Sequence, residues 1–106
     1  MTVITEPTTT IDDCRWAITD YQSALPRARQ PLADQLDARL AQAIGERHRA
    51  EMRLEKRWEW CDRNTGHPLY DERETACIDS IAEYTEWCDV VRDMCAALGL
   101  SGERCA

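Results

Sequence analysis

"CDRNTGHPLYDERETAC", residues Cys61–Cys77, decides the fold. Its centre, Asn64 to Pro68, gathers residues that stop helices and favour turns. On both sides of it apolar residues recur at steps of three and four, the spacing of one helix face. Upstream the stripe is Leu32, Leu36, Leu40, Ala43, Arg47, Ala50, Leu54, Trp58 and Cys61. Downstream it is Cys77, Ile81, Tyr84, Cys88, Val91, Cys95 and Leu98, widened by Ile78, Trp87 and Met94. A short turn between two long stripes predicts an antiparallel helical hairpin.

Working outward, Pro31 suits the first position of helix 2, which should run to about Asp62. Gly45 weakens its middle without breaking the pattern. Asp71 with Glu74 suits the start of helix 3, and Gly99 suits its end. Before the hairpin, Ile11, Cys14, Ile18, Tyr21 and Leu25 form a shorter stripe, and Thr10 followed by Asp12 and Asp13 resembles a capping box. Pro26 and Pro31 bracket "PRARQP", which reads as a loop. No strand-like alternation and no internal repeat is present. The expected fold is an all-α three-helix bundle, a short helix 1 packed on a long hairpin of helices 2 and 3. Residues 1–10 and 100–106 read as tails around a helical domain of residues 11–99.

Composition narrows the function. The 106 residues carry a net charge of −7, a poor balance for general binding to phosphate backbones. No window approaches the roughly 20 apolar residues of a membrane span. Residues 1–10 lack a basic region followed by an apolar run, so no export signal is expected and a cytoplasmic location is. Thiols stay reduced there. Five of the six cysteines, Cys14, Cys61, Cys77, Cys88 and Cys95, fall on helix stripes, and Cys105 lies in the tail. Such cysteines act as small apolar side chains. If a disulfide forms within the chain, the expected register makes Cys14–Cys88 the first choice.

Chemistry-bearing motifs are sparse. There is no Cys-x-x-Cys, no Gly-rich phosphate loop and no Glu-x-x-His pair. Cys61, His67 and Cys77 could meet at the hairpin corner around zinc, but a fourth ligand is missing. Neither an enzyme nor a metal or other cofactor is expected. One flank of helix 2 carries Arg49, Arg53, Lys56, Trp60 and Arg63 at steps of three and four, a candidate contact for phosphate or an acidic partner. Helix 3 carries Asp79, Glu83, Glu86 and Asp93 away from its stripe, an arrangement that could imitate a row of phosphates.

Length supplies the functional expectation. Helix 1, about 14 residues, spans about 21 Å, whereas helix 2 spans roughly 48 Å. The half of the hairpin farther from helix 1 therefore keeps an apolar surface without a third helix. Leu54, Trp58, Cys61, Tyr70, Ile78, Ile81 and Tyr84 are its candidate partner-binding residues, with Trp58 and Tyr84 as anchors. The expected function is non-catalytic protein–protein interaction, through a homodimer or a helical protein partner. A regulator acting at nucleic acid is the alternative, and the tail with Val3 and Ile4 is another candidate cover for the patch.

Overall fold

The computed structural model describes residues 9–100. Three helices follow in order, α1 (Ile11–Ser23), α2 (Pro26–Arg63) and α3 (Tyr70–Leu98). Helix α1 lies against both arms of the α2–α3 hairpin, so the all-α three-helix bundle holds. Residues 1–8 and 101–106, which include Val3, Ile4 and Cys105, lie outside the described residues. Thr9 and Thr10, expected in the tail, belong to the helical unit: Thr9 is buried and Thr10 caps α1.

The α1 start is a true capping box. The Thr10 hydroxyl accepts from the Asp13 N–H at 3.1 Å, and the Asp13 carboxylate accepts from the Thr10 N–H at 3.4 Å. The loop expected over "PRARQP" is absent. Only Ala24 and Leu25 separate α1 from α2, both extended, and Pro26 opens α2 with Pro31 inside it. Proline at the first position sacrifices no helical bond. At Pro31 the lost bond is to the carbonyl of Arg27, which is exposed and open to water. Helix α2 thus has 38 residues, about 57 Å at 1.5 Å each, and sets the long dimension of a body of 60 × 40 × 21 Å.

At the corner the Asn64 side-chain amide donates to the Trp60 carbonyl at 2.7 Å. His67 Nδ1 accepts from the Leu69 N–H at 3.0 Å. The cap of α3 is Leu69, not Asp71, because the His67 turn delivers the chain to helical geometry two residues earlier. Asp71 and Glu72 instead place negative charge in the first turn. Gly99 ends α3 at φ 68°, with the Gly99 N–H on the Ala96 carbonyl and the Leu100 N–H on the Cys95 carbonyl.

The two internal glycines of interest should respond oppositely to alanine. Gly45 lies in mid-helix, and an added Cβ there meets nothing nearer than 3.7 Å. Gly45→Ala should stabilise by about 0.5–1 kcal/mol. Gly99→Ala forces a side chain into left-handed backbone and should cost about 1–2 kcal/mol. Urea unfolding of the two variants, followed by circular dichroism, checks the pair.

The hairpin seam follows a heptad. Leu36, Leu40, Ala43, Arg47, Ala50, Leu54, Arg57 and Cys61 on α2 face Cys77, Ser80, Tyr84, Trp87, Val91 and Met94 on α3. Arg53 meets Glu83 and Cys61 meets Cys77, so the pairing centres on Pro68 and Leu69. The main core gathers where all three helices meet: Cys14, Leu36, Leu40, Ala43, Ala50, Trp87, Val90, Val91, Met94 and Cys95. Ile11, Ala17, Ile18 and Tyr21 of α1 pack over it.

Three expectations about the stripes need correction. In the distal half the seam buries Ser80, which the exposed Arg57 reaches from α2, and Trp58 and Ile81 stand one residue off their heptad positions, 54% and 41% exposed. Cys88 is half-buried beside Tyr84 and lies outside the core cluster that holds Cys14. The Cys14–Cys88 bond does not form: both are free thiols, and Cys95 is the disulfide-bonded one.

Candidate interaction surface

Beyond the reach of α1, α2 presents two flanks of opposite character. At 100° per residue, Glu51, Glu55, Trp58, Glu59 and Asp62 share one flank, and Arg49, Arg53, Lys56, Trp60 and Arg63 share the other. The seam of Leu54, Arg57 and Cys61 runs between them.

On the acidic flank, Leu54, Glu55, Trp58, Glu59 and Ile81 line a groove of about 370 Å³. Ile78, 59% exposed, continues its apolar edge one turn along α3. Glu55 and Glu59 form no ion pair among the described residues. The groove therefore combines an indole, two aliphatic side chains and two uncompensated carboxylates. The apolar stripe pointed to its hydrophobic members. Glu55 and Glu59 were missed, although their four-residue spacing beside Trp58 was there to be read.

The remaining expected partner-binding residues are not brought into this groove. Cys61 is buried in the seam, its sulfur 3.9 Å from that of Cys77. Tyr84 is half-buried in the seam. Its hydroxyl titrates above the ordinary range, first through the hydrogen bond with Cys88, then through that thiol's charge and burial. Tyr70 opens α3, and its hydroxyl is raised first by a hydrogen bond with Glu74.

The basic flank is largely engaged within the chain. Arg49 pairs with Glu46, and Arg53 crosses the seam to Glu83. Arg57 donates to the Ser80 hydroxyl and, at 3.2 Å, to the Ala76 carbonyl. Arg73 lies over the Trp60 ring, 5.2 Å from its centroid, and His67 meets that ring edge-on at 5.2 Å. The indole face is thus covered by a cation of its own chain. Lys56, Arg57, Trp60 and Arg73 line a shallow depression of about 190 Å³. On α3, Glu83 is taken by Arg53, and Asp93 by Arg15 at 3.8 Å and Arg92 at 4.0 Å. Asp79 and Glu86 remain of the acidic row.

Cys61 and Cys77 do converge at the corner, but His67 turns to Trp60 and Leu69. Among the described residues no three metal-ligating side chains come together. A larger depression, about 540 Å³, lies between α1 and α2 with Trp16 at its side. It is the more polar of the two, with Asp13, Asp20, Gln35, Arg39 and Gln42 around it, and the Arg39–Asp13 pair at 3.9 Å lies along it.

Fold and surface together define a small three-helix protein with a half-uncovered hairpin. No family model, curated protein or solved structure matches the chain. No helix among the described residues is long and apolar enough to cross a membrane.

Proposed function

We propose that the protein is a non-catalytic interaction module whose distal hairpin half docks a helix of a partner protein. The observation that carries this reading is the displacement of large apolar side chains from the seam. The heptad positions where a hairpin stable by itself would use leucine hold buried Ser80 and an exposed arginine, Arg57, which reaches the Ser80 hydroxyl. Trp58, Ile78 and Ile81 stand in solvent beside them. Exposed apolar groups set contiguously along a groove mark an interface, and an amphipathic helix is the shape that fills a groove between two helices.

The partner's chemistry follows from the rim. Glu51, Glu55, Glu59 and Asp62 run beside Trp58, so the fitting helix carries Lys or Arg beside its own apolar stripe. Two copies of this chain could also cover the groove about a two-fold axis, the homodimer expected from the sequence. That pairing sets the acidic row against itself, and like charges facing each other oppose association.

The test uses the full chain and two synthetic amphipathic helices with one leucine stripe, flanked by Lys in one and by Glu in the other. The Lys-flanked helix should bind, bind more weakly as salt rises, and fail to bind Ile81→Asp. Light scattering on the same samples should report a monomer before the helix is added. A dimer that Ile81→Asp dissociates would return the surface to self-pairing. A monomer that binds neither helix would overturn the proposal.

The alternative, a regulator acting at nucleic acid, has one feature in its favour, the Lys56, Arg57, Trp60 and Arg73 depression without an acid in its lining. A salt-dependent gel shift abolished by Lys56→Glu would support it.

A further inference from the structure

The seam ends, next to the turn, in two thiols. Cys61 Sγ and Cys77 Sγ are 3.9 Å apart, both are free, and both sit on continuous helix within the same buried layer. The other two free thiols among the described residues face hydroxyls instead, Cys14 that of Thr9 at 3.5 Å and Cys88 that of Tyr84. A disulfide needs its sulfurs about 2.05 Å apart, so Cys61 and Cys77 must close by about 2 Å, a change within reach of side-chain rotation. We infer that Cys61 and Cys77 are an oxidant-responsive pair whose cross-link locks the distal end of the hairpin. This inference is independent of the docking proposal.

Access selects the oxidant and the order of events. Cys61 is 8% exposed and Cys77 2%, so the entering reagent must be small and meets Cys61 first. Hydrogen peroxide fits. The Cys61 thiolate attacks one peroxide oxygen, the O–O bond breaks, and hydroxide leaves, giving a sulfenic acid. The Cys77 thiolate then attacks the Cys61 sulfur, the S–O bond breaks, and the S–S bond forms. In sum two thiols give up two protons and two electrons, and one peroxide becomes two waters. A dithiol reductant reverses the bond by thiol–disulfide exchange. Burial, followed by the neighbouring Cys61 thiol, holds the Cys77 thiol above its ordinary range, while Arg57 acts the other way. The thiolate is the reactive form, so closure quickens as pH rises.

The full-length protein, reduced and then treated with hydrogen peroxide, supplies the test. Remaining thiols are alkylated and tryptic peptides are mapped, with Cys88→Ser as a second variant because Cys77 and Cys88 share a peptide. The expected product joins the Cys61 and Cys77 peptides. It should form at least about tenfold faster in the folded chain than in urea, since proximity on a rigid frame raises effective concentration. It should disappear with dithiothreitol. Sulfinic acid accumulating at Cys61 without a link would overturn the inference. So would the same mixture of cross-links in folded and unfolded chains.

Discussion

Trp87→Ala should lower unfolding free energy by about 3–5 kcal/mol, the range for removing a large buried aromatic. Trp87 is 5% exposed and lies in the core cluster that also holds Cys14, Leu40, Val90 and Met94. Its loss leaves a cavity where α1 meets the hairpin, and neighbours anchored on three helices can close it only in part. Trp58→Ala is the contrast. Trp58 stands off the seam and is 54% exposed, so its truncation should change stability by no more than about 0.5 kcal/mol. Urea unfolding of both variants, read by circular dichroism, measures the difference directly. Equal losses would place Trp58 back in the seam.

The same Trp58→Ala change should weaken docking of the Lys-flanked helix by about 30-fold or more. A buried aromatic anchor at an interface is worth about 2 kcal/mol or above, and an indole between Glu55 and Glu59 becomes fully covered when a helix fills the groove. Ile81→Asp adds an unpaired carboxylate to the floor of that groove and should abolish binding. Fluorescence anisotropy of a labelled peptide reads both. Because Trp58 contributes little to the unbound fold, lost affinity with unchanged unfolding separates an interface role from a folding role. Uniform losses in both measurements would show that the groove is a defective core.

The fold could be read from the periodic stripes, the turn at Asn64–Pro68 and Gly99 because each rests on local chemistry. Helix starts were less legible. Pro31 looked like a boundary, but a proline near an exposed first turn costs only one bond that water replaces. His67, not Asp71, decides where α3 begins, through a side-chain bond visible only once the turn is folded. The distal seam was misread for a different reason. Apolarity nominated Trp58 and Ile81, whereas heptad geometry continued from Ala50 and Trp87 puts Ser80 inward, with the exposed Arg57 reaching across to its hydroxyl. Following the spacing past the point where the residues turn polar would have found them. Of the seven candidate partner-binding residues, Leu54, Trp58 and Ile81 line the groove, the last two as exposed side chains one residue off their heptad positions. The basic stripe was legible as a row of charges but not as a set of partners, because Glu46, Glu83 and the Arg73–Trp60 stack join it only in three dimensions.

The polar seam also grades the molecule along its length. Where Leu36, Leu40, Val91 and Met94 close the hairpin, backbone amides should exchange with solvent deuterium only through global unfolding. Around Arg57 and Ser80 the two arms are joined by hydrogen bonds that water can replace, and no third helix covers them. Amides there should exchange through sub-global opening, orders of magnitude faster, with the corner as the outermost zone. Nuclear magnetic resonance of the exchanging chain should thus trace a gradient from a slow end at α1 to a fast end at His67. A bound helix, or a bond between Cys61 and Cys77, should flatten that gradient without slowing the α1 end.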